Sequence, residues 1–277
     1  MPVPDRSYIC DPVVEAENTV TFACSQDVDE WPWLALPPQH PIVIQTQNFW
    51  TSVGAGRALK SRDDDKWSAL TWTRWTLGDR DAGIATRGTY TLKGEKGQID
   101  FSTKLFDAQD RLITELDGKG VVFRTRDFES WREKSKQAVK EPTPSTLDYA
   151  DAKRLGLSDV EPALIAPLAE SDGTRQTTAL ITKANGLMPG HPYFSGSGDH
   201  VNAPHLAEVA RQVASLASKD ASLLPVGGEM DMHRYIELGT PFEIRIDGQS
   251  EESLSLAISQ LGKSCARITL QWENLHS

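Results

Sequence analysis

HPYFSGSGDHVNAPHLAEVARQ, residues 191–212, is the stretch on which the predicted fold of this chain depends. Its first half is rich in Gly, Ser and Pro, as loops are, and a helix is predicted from about Pro204 to Ala217. Apolar residues recur in this helix at three- and four-residue spacing and form one face: Leu206, Val209, Ala210, Val213 and Leu216. The same stretch holds several His residues, an Asp, a Glu and an Arg. We therefore expect a helix that packs against a sheet and carries the reactive groups.

Strand patterns precede and follow this segment, and short turns separate most of them. The predicted strands are Thr19–Ala23, Leu70–Thr76, Thr86–Leu92, Ile99–Leu105, Leu112–Leu116, Val121–Thr125, Thr177–Lys183, Met230–Leu238, Phe242–Ile246, Leu254–Ile258 and Ala266–Trp272. One predicted turn is Asp117-Gly-Lys-Gly. Each half of the chain thus predicts a leading strand, one helical segment and several antiparallel strands. The expected fold class is α+β.

The helical segment of the first half is less regular than that of the second. Ile42–Leu59 is compatible with a strand that enters a helix, but Gly54 and Gly56 argue against a long regular helix. His40 precedes a proline and is predicted to lie in a loop. The Trp residues of this half are predicted to belong mostly to the core.

Composition excludes several classes of function. The chain of 277 residues has a net charge of −10 and a pI near 5.1, so nucleic acid and anionic membranes are poor partners. Three cysteines without metal-site spacing indicate reduced thiols in a cytoplasmic protein. The N-terminus does not resemble a signal peptide, and no apolar run approaches the roughly 18 residues that span a bilayer. No zinc spacing, phosphate loop or dinucleotide fingerprint is present, so we expect no metal and no cofactor.

The segment Asp199-His-Val-Asn-Ala-Pro-His-Leu-Ala-Glu-Val-Ala-Arg-Gln resembles the motif of A-factor biosynthesis hotdog proteins. In those proteins an Asp-His-Val loop precedes a central helix that carries Glu-Ala-Ala-Arg-Gln, although they usually have Pro-Gly where this chain has Asn-Ala. The residues in register are Asp199, His200, Glu208, Arg211 and Gln212. The resemblance implies a hotdog fold, in which a curled antiparallel sheet wraps one helix, and two such halves imply a tandem double hotdog.

The same segment also resembles motifs of two further families. The helix end is similar to that of β-hydroxyacyl carrier-protein dehydratases, which bear an acidic residue and a nearby Gln. The loop Ser197-Gly-Asp-His-Val-Asn-Ala-Pro-His is similar, with one extra residue, to that of MaoC-like hydratases. These resemblances imply a degenerate N-terminal hotdog in 1–126 that accommodates an acyl chain. They also imply a connecting segment in 127–176 and an active C-terminal hotdog in 177–277.

Dehydration or hydration of an acyl thioester needs an acid, a base and a donor to the thioester oxygen. We expect Glu208 and His200 to form the acid/base pair. Burial should raise the pKa of Glu208 unless a donor pairs with it. The expected supporting groups are Asp199 and His205 for catalysis, and Arg211, Gln212, Asn202 and Gly198 for substrate binding.

Simpler interpretations stay open for each of these residues. Asp199 or Asn202 could only cap the helix, and His205 could be a surface residue of the first turn. Glu208 and Arg211 could form an exposed helical charge pair, and Gly198 could only permit a tight turn.

Three functions are compatible with the sequence. The first is an acyl-thioester hydro-lyase, of the 3-hydroxyacyl dehydratase or enoyl hydratase type. The second is a thioester hydrolase or acyl transferase on the same fold. The third is a non-catalytic binding or scaffold protein. The expected partner is an acyl thioester of CoA or of a carrier protein, and the chain could act as a homodimer or through its tandem halves alone.

Overall fold

The computed structural model describes residues 6–62, 66, 68–95, 98–123, 128–138, 146–159, 161–182, 185 and 200–273. The chain divides into two compact units, one within Met1–Thr125 and the other within Arg126–His191 and Gly198–Ser277. Each unit contains a long buried helix and an antiparallel sheet. Among the described residues, no helix is both long enough and apolar enough to cross a membrane.

The first unit combines one long helix with an antiparallel sheet. Its elements are β1 (Ile9–Ala16), β2 (Thr19–Cys24), a short 3-10 helix (Pro32–Ala35), α1 (Pro41–Ala58), β3 (Ser68–Leu77), β4 (Arg87–Leu92), β5 (Ile99–Phe106) and β6 (Leu112–Val122). The strand order is β1-β2-β4-β5-β6-β3, and α1 packs against β1, β4 and β5. The predicted tryptophan core is confirmed, since Trp31, Trp33 and Trp50 are at most 1% exposed.

Helix α1 is longer and more regular than the sequence predicts. The interpretation of Ile42–Leu59 as a strand entering a helix is wrong, because the helix begins at Pro41 and runs to Ala58. Gly54 lies inside it for a packing reason: a Cβ atom at this position would lie 2.5 Å from Cγ1 of Ile9 on β1. The glycine therefore allows close approach of strand and helix and does not break the helix.

The predicted turn Asp117-Gly-Lys-Gly is also wrong, because β6 continues through it to Val122. Gly118 pairs with Phe101 of β5 in the ladder, and a Cβ at Gly118 would collide with the Phe101 ring. Here again a glycine makes room for a neighbouring side chain inside a regular element.

The second unit repeats the combination of helix and antiparallel sheet. Its elements are α2 (Phe128–Ala138), β7 (Ala169–Ser171), β8 (Thr174–Ala179), β9 (His200–Val201), α3 (Ala203–Ser218), β10 (Pro225–Met232), β11 (Ile236–Glu237), β12 (Phe242–Gln249), β13 (Ser253–Gln260) and β14 (Lys263–Trp272). The main sheet has the order β10-β14-β13-β12-β8-β7, and β9 pairs with β11 separately. The predicted alternation of β13 is confirmed, because Leu254, Leu256 and Ile258 are buried between half-exposed neighbours.

Helix α3 agrees with the predicted helix to within one residue at either end. Its apolar face packs against β14, and burial of each Leu or Val side chain contributes about 1.5–3 kcal/mol. The helix is nevertheless buried all round, because its polar residues His205, Glu208, Arg211 and Gln212 are at most 3% exposed. The alternative of an exposed charge pair between Glu208 and Arg211 is therefore excluded.

Candidate functional site

The helix that carries the predicted site residues begins with a side-chain cap. Asn202 is the N-cap residue of α3, and Pro204 lies in the first turn, where its missing N–H costs no helical hydrogen bond. The Asn202 backbone N–H donates to Nδ1 of His205 at 3.2 Å. His205 is fully buried, so it is not a surface residue of the first turn. One of its ring nitrogens fixes the start of the helix.

Glu208 lies at the centre of a buried polar group that we call the Glu208 cluster: Glu208, Arg211 and Gln212. Arg211 forms a two-point ion pair with the carboxylate, with Nε 2.9 Å from Oε2 and Nη2 2.7 Å from Oε1. Gln212 Nε2 donates to the same Oε1 at 2.9 Å. Arg211 and Gln212 therefore both donate to the Glu208 carboxylate.

The segment that precedes β7 surrounds this cluster with further partners. Arg211 Nη1 donates to the Leu155 carbonyl at 3.1 Å, and Nη2 lies 3.6 Å from Oε1 of Glu161. Burial alone would lower the pKa of Arg211, but the Glu208 and Glu161 carboxylates raise it above its ordinary value. Arg211 is therefore a permanent cation that two carboxylates share.

Gln212 uses both atoms of its amide group. Its Oε1 accepts from the Leu164 backbone N–H at 2.9 Å, and its Nε2 donates to the Pro162 carbonyl at 3.1 Å. These bonds hold Pro162 and Leu164 against α3. The cluster thus joins the helix to a segment some fifty positions earlier in the chain, as the sequence separations of 48 and 50 show.

His200 lies in a second polar group, which we call the Tyr235 cluster: His200, Tyr235, Arg132 and Glu237. The His200 ring meets the Tyr235 ring edge-on at 4.4 Å, and the Arg132 guanidinium lies 4.4 Å from the centre of the same ring. Arg132 also forms a buried two-point ion pair with Glu237, at 2.5 and 2.9 Å. Because Glu237 is the ladder partner of His200, this cluster connects α2 to the strand that leads into α3.

The structure brings together three of the residues that the sequence proposed: Glu208, Arg211 and Gln212. Glu208 and Gln212 lie four residues apart on α3 and are joined by a hydrogen bond. His205 instead bonds to Asn202, and His200 contacts Tyr235. Asp199 and Gly198 lie outside the described residues, as does His191.

Sequence reasoning missed three buried polar residues. Arg132 and Glu237 gave no signal, because a charged helix and a short strand do not reveal a contact across 105 positions. His40 was predicted in a loop, but it is the buried N-cap of α1, and its Nδ1 accepts from the Ile42 backbone N–H at 3.2 Å. The His-Pro pair before an apolar run could have indicated this helix start.

No protein-family profile matches this sequence, and no curated relative matches it. Solved structures do match. The 12:0-ACP thioesterase from Umbellularia californica is 12% identical, with a TM-score of 0.54 over 94% of this chain and 99% of that one. An acyl-ACP thioesterase from Bacteroides thetaiotaomicron is 12% identical, with a TM-score of 0.51 over 93% and 100%.

Dehydratases match equally well. The dehydratase domain from the CurK module of curacin polyketide synthase is 12% identical, with a TM-score of 0.51 over 96% of this chain and 95% of that one. An inactive Asp-to-Asn mutant of the CurK dehydratase gives the same values. This chain has the hotdog fold. At such low identity the likeness establishes the fold alone.

Proposed function

We propose that this protein is a tandem double-hotdog enzyme that acts on an acyl thioester as a hydro-lyase, of the 3-hydroxyacyl dehydratase or enoyl hydratase type. The proposal places the chemistry in the C-terminal hotdog, 177–277. It makes 1–126 the degenerate half and 127–176 the connection. The observation that carries it is the Glu208 cluster on the central helix of the second unit.

The Glu208 cluster supplies a buried carboxylate that is already paired with a cation. A carboxylate in this state can accept a proton, so we assign Glu208 as the base that removes the α-proton of a 3-hydroxyacyl thioester. The electron pair of that C–H bond forms the new double bond, and the bond to the 3-hydroxyl breaks. A protonated His200 is our proposed acid, and it gives its proton to the leaving hydroxyl to form water.

The other predicted residues have supporting roles in this proposal. Arg211 and Gln212 orient the carboxylate, as their bonds to Glu208 suggest. His205 supports the catalytic helix through its bond to Asn202. Asp199 as a catalytic support and Gly198 and Asn202 as substrate contacts stay predictions.

The bond between Glu208 and Gln212 is consistent with the hydro-lyase as the first candidate. It joins the acidic residue and the Gln through which the sequence resembles β-hydroxyacyl carrier-protein dehydratases. The Asp-to-Asn mutant of the similar CurK dehydratase is inactive, which indicates that a carboxylate matters in that protein.

A thioester hydrolase or acyl transferase is the second candidate. It is supported by the fold similarity to acyl-ACP thioesterases. In that reaction Glu208 would activate water or an alcohol for attack on the thioester carbonyl. The non-catalytic alternative is favoured by the same contacts, because a carboxylate that is paired with Arg211 and Gln212 is also suited to a purely structural role.

One assay separates these functions. The purified chain is incubated with 3-hydroxyacyl and enoyl thioesters of CoA and of a carrier protein, and the products are followed by mass and by release of free thiol. Gain or loss of water without thiol release supports the hydro-lyase, and thiol release supports the hydrolase. If neither occurs, the catalytic proposal is wrong and the binding hypothesis stands.

The Glu208→Gln variant tests the assignment of the base. We expect it to lower the rate by about 100-fold or more, because it removes the proton acceptor. Its thermal unfolding must stay cooperative for the comparison to be valid. The matched control is Glu243→Gln, which changes an exposed carboxylate on β12 of the same unit and should leave the rate unchanged. A folded Glu208→Gln protein with full activity would contradict both catalytic assignments.

We expect the substrate to be carried by CoA or by a carrier protein, and the protein to be cytoplasmic. Nucleic acid, membranes and cofactors play no part in the proposed reaction. A homodimer stays compatible with the proposal, as does a single chain in which the two tandem halves suffice.

A further inference from the structure

We propose that the first unit contains a ligand-binding site built on Gln45 of α1. The site would bind an uncharged group that both donates and accepts a hydrogen bond, such as a hydroxyl or a secondary amide. The inference rests on the proposed function in one respect, because an acyl thioester is taken as the source of the bound group.

The second turn of α1 is a run of polar residues that is buried on every side. Gln45, Thr46, Gln47 and Asn48 are between 1% and 3% exposed. Four consecutive residues at about 100° per residue cover most of the circumference of a helix. No rotation of the helix could bring all of them to the surface, so each must meet its polar requirement inside the protein.

Two of these residues have structural partners. Gln47 Nε2 donates to the Tyr8 hydroxyl at 3.1 Å, and Asn48 Nδ2 donates to Oγ1 of Thr73 on β3 at 3.1 Å. Both bonds tie α1 to other elements of its own unit. The framework of the first unit therefore accounts for the amide nitrogens of both side chains, while Gln47 Oε1 and Asn48 Oδ1 have no partner among the described residues.

Gln45 differs from Gln47 and Asn48 in that neither atom of its amide is paired. Neither its Nε2 nor its Oε1 has a hydrogen-bond partner within the described part of the chain. The next residue, Thr46, is likewise without a partner for its hydroxyl among those residues. By contrast, Thr51 on the same helix bonds back to the Gln47 carbonyl at 2.7 Å. Two adjacent side chains thus present a donor and two acceptors that the framework does not use.

Among the described residues, two other buried amides have partners for both of their amide atoms, whereas Gln47, Asn48 and Asn202 each leave only the amide oxygen unpaired. Gln212 bonds to Leu164 and Pro162 as well as to Glu208. Gln260 accepts from the Glu237 N–H and donates to the carbonyls of Glu237 and Thr240. An unpaired buried amide is costly, so its retention at Gln45 indicates a partner that is not part of the chain.

The chemistry of Gln45 defines the group that it would recognise. A primary amide offers one donor face and one acceptor face, and only a partner with both functions satisfies both atoms. Gln45 and Thr46 carry no charge, and a charged ligand group would need a buried counter-charge. Within an acyl thioester, the candidates are therefore a hydroxyl on the acyl chain and the secondary amides of the pantetheine arm.

The test is a binding experiment on the full chain with three probes that cannot react. S-(3-hydroxybutyl)-CoA carries the hydroxyl, S-butyl-CoA lacks it, and CoA alone carries only the pantetheine amides. As thioethers or a free thiol, these probes undergo neither dehydration nor thioester hydrolysis. Dissociation constants from calorimetry therefore test the site whether or not the proposed reaction is correct.

The informative variant is Gln45→Met, which keeps the volume of the side chain and removes both polar atoms. We expect binding to weaken about tenfold or more while the unfolding temperature stays equal or rises. A loss limited to S-(3-hydroxybutyl)-CoA identifies the acyl hydroxyl as the partner. An equal loss for all three probes identifies a pantetheine amide. Either result supports the proposal.

The matched control is Gln47→Met, which removes an equally buried amide that pairs with Tyr8. It should lower the unfolding temperature and leave the three dissociation constants unchanged. The proposal is overturned if Gln45→Met leaves all of them unchanged, since the amide would then hold at most a buried water. It is also overturned if the unaltered protein binds none of the probes.

Discussion

The central helices of the two units begin alike and differ in how their polar side chains are used. Both α1 and α3 have a proline in the first turn. At each start a buried His accepts a backbone N–H through Nδ1, from Ile42 to His40 in α1 and from Asn202 to His205 in α3. Both helices are buried around most of their circumference.

The difference lies one turn further along each helix. In α3, Glu208, Arg211 and Gln212 bond to one another. They also bond to the backbone of Leu155, Pro162 and Leu164. In α1, both amide atoms of Gln45 are without partners among the described residues. The polar groups of the two helices thus differ: those of α3 pair with one another around the proposed base Glu208, whereas Gln45 of α1, as we propose, binds a ligand. The helix with the richer sequence motif is the one whose polar atoms are already engaged.

The substitution with the largest expected effect on stability tests whether α3 depends on the ion pair within the Glu208 cluster. Arg211→Met should destabilise the protein by about 3–5 kcal/mol, because it leaves the Glu208 carboxylate buried without its cation. Urea unfolding measures the change. Adding Glu208→Gln should restore part of the loss, because the uncompensated charge is then gone.

The control for this prediction is Arg245→Met. Arg245 pairs with Asp247 on β12, and its side chain is 58% exposed, so little change in stability is expected. If Arg211→Met were as mild as this control, the Glu208 cluster would not be a structural pairing, and the contrast between the two helices would fail.

A substitution with a smaller expected effect on stability tests why α1 contains glycines and α3 has none. Gly54→Ala should gain about 1 kcal/mol of helix propensity but lose about 1–3 kcal/mol to the collision with Ile9. We expect a net loss of stability in thermal or urea unfolding. In an Ile9→Ala background the same substitution should be neutral or stabilising. A net gain in the otherwise unaltered chain would mean that close approach of β1 does not require this glycine.

The smallest effect tests whether the first unit pairs its buried charges as well as the second does. Asp107, after β5, accepts hydrogen bonds from the backbone N–H groups of Gly83, Gln109 and Arg111. Burial alone would raise its pKa, but these bonds and the Arg111 side chain lower it from 3.8 to about 2. The group therefore adds stability above its unfolded pKa, and this contribution is lost as the pH falls from about 4 towards 2.

The measurement compares the unaltered protein with Asp107→Asn in urea unfolding between about pH 2 and pH 7. The stability difference should be constant above about pH 5 and should shrink at acidic pH. A difference that does not depend on pH would contradict the depressed pKa. The expected outcome would show that the first unit fully satisfies the buried charge of Asp107.

The sequence predicted the local elements where one periodic pattern dominated. Helix α3 and strand β13 are examples, because their apolar spacing is set by the geometry of one element against one core. The prediction from sequence was wrong where one residue type occurs in two structural contexts, as glycine does. The sequence pattern predicts irregular backbone at Gly54 and Gly118. In the structure each glycine lies inside a regular element and makes room for a side chain from another strand.

The candidate site shows the same division. The three-residue spacing of Glu208 and Arg211 was sufficient to predict a helical charge pair, since helical neighbours contact each other, but the pair is buried and not exposed. The sequence could not predict that Arg211 also bonds to Leu155, or that Arg132 pairs with Glu237. Nor could it show that Gln45 is buried unpaired while Gln47 reaches Tyr8.

The sequence by itself thus determined the class of fold, the central helix of the second unit and the set of reactive groups on it. Tertiary structure alone decided which polar groups are paired and which are available. The physical reason is distance along the chain. Periodicity reports contacts within a turn of helix or along a strand, whereas the pairing of a buried polar atom depends on residues brought together from distant positions. The contrast between Gln45 and Gln212 arises entirely from such contacts.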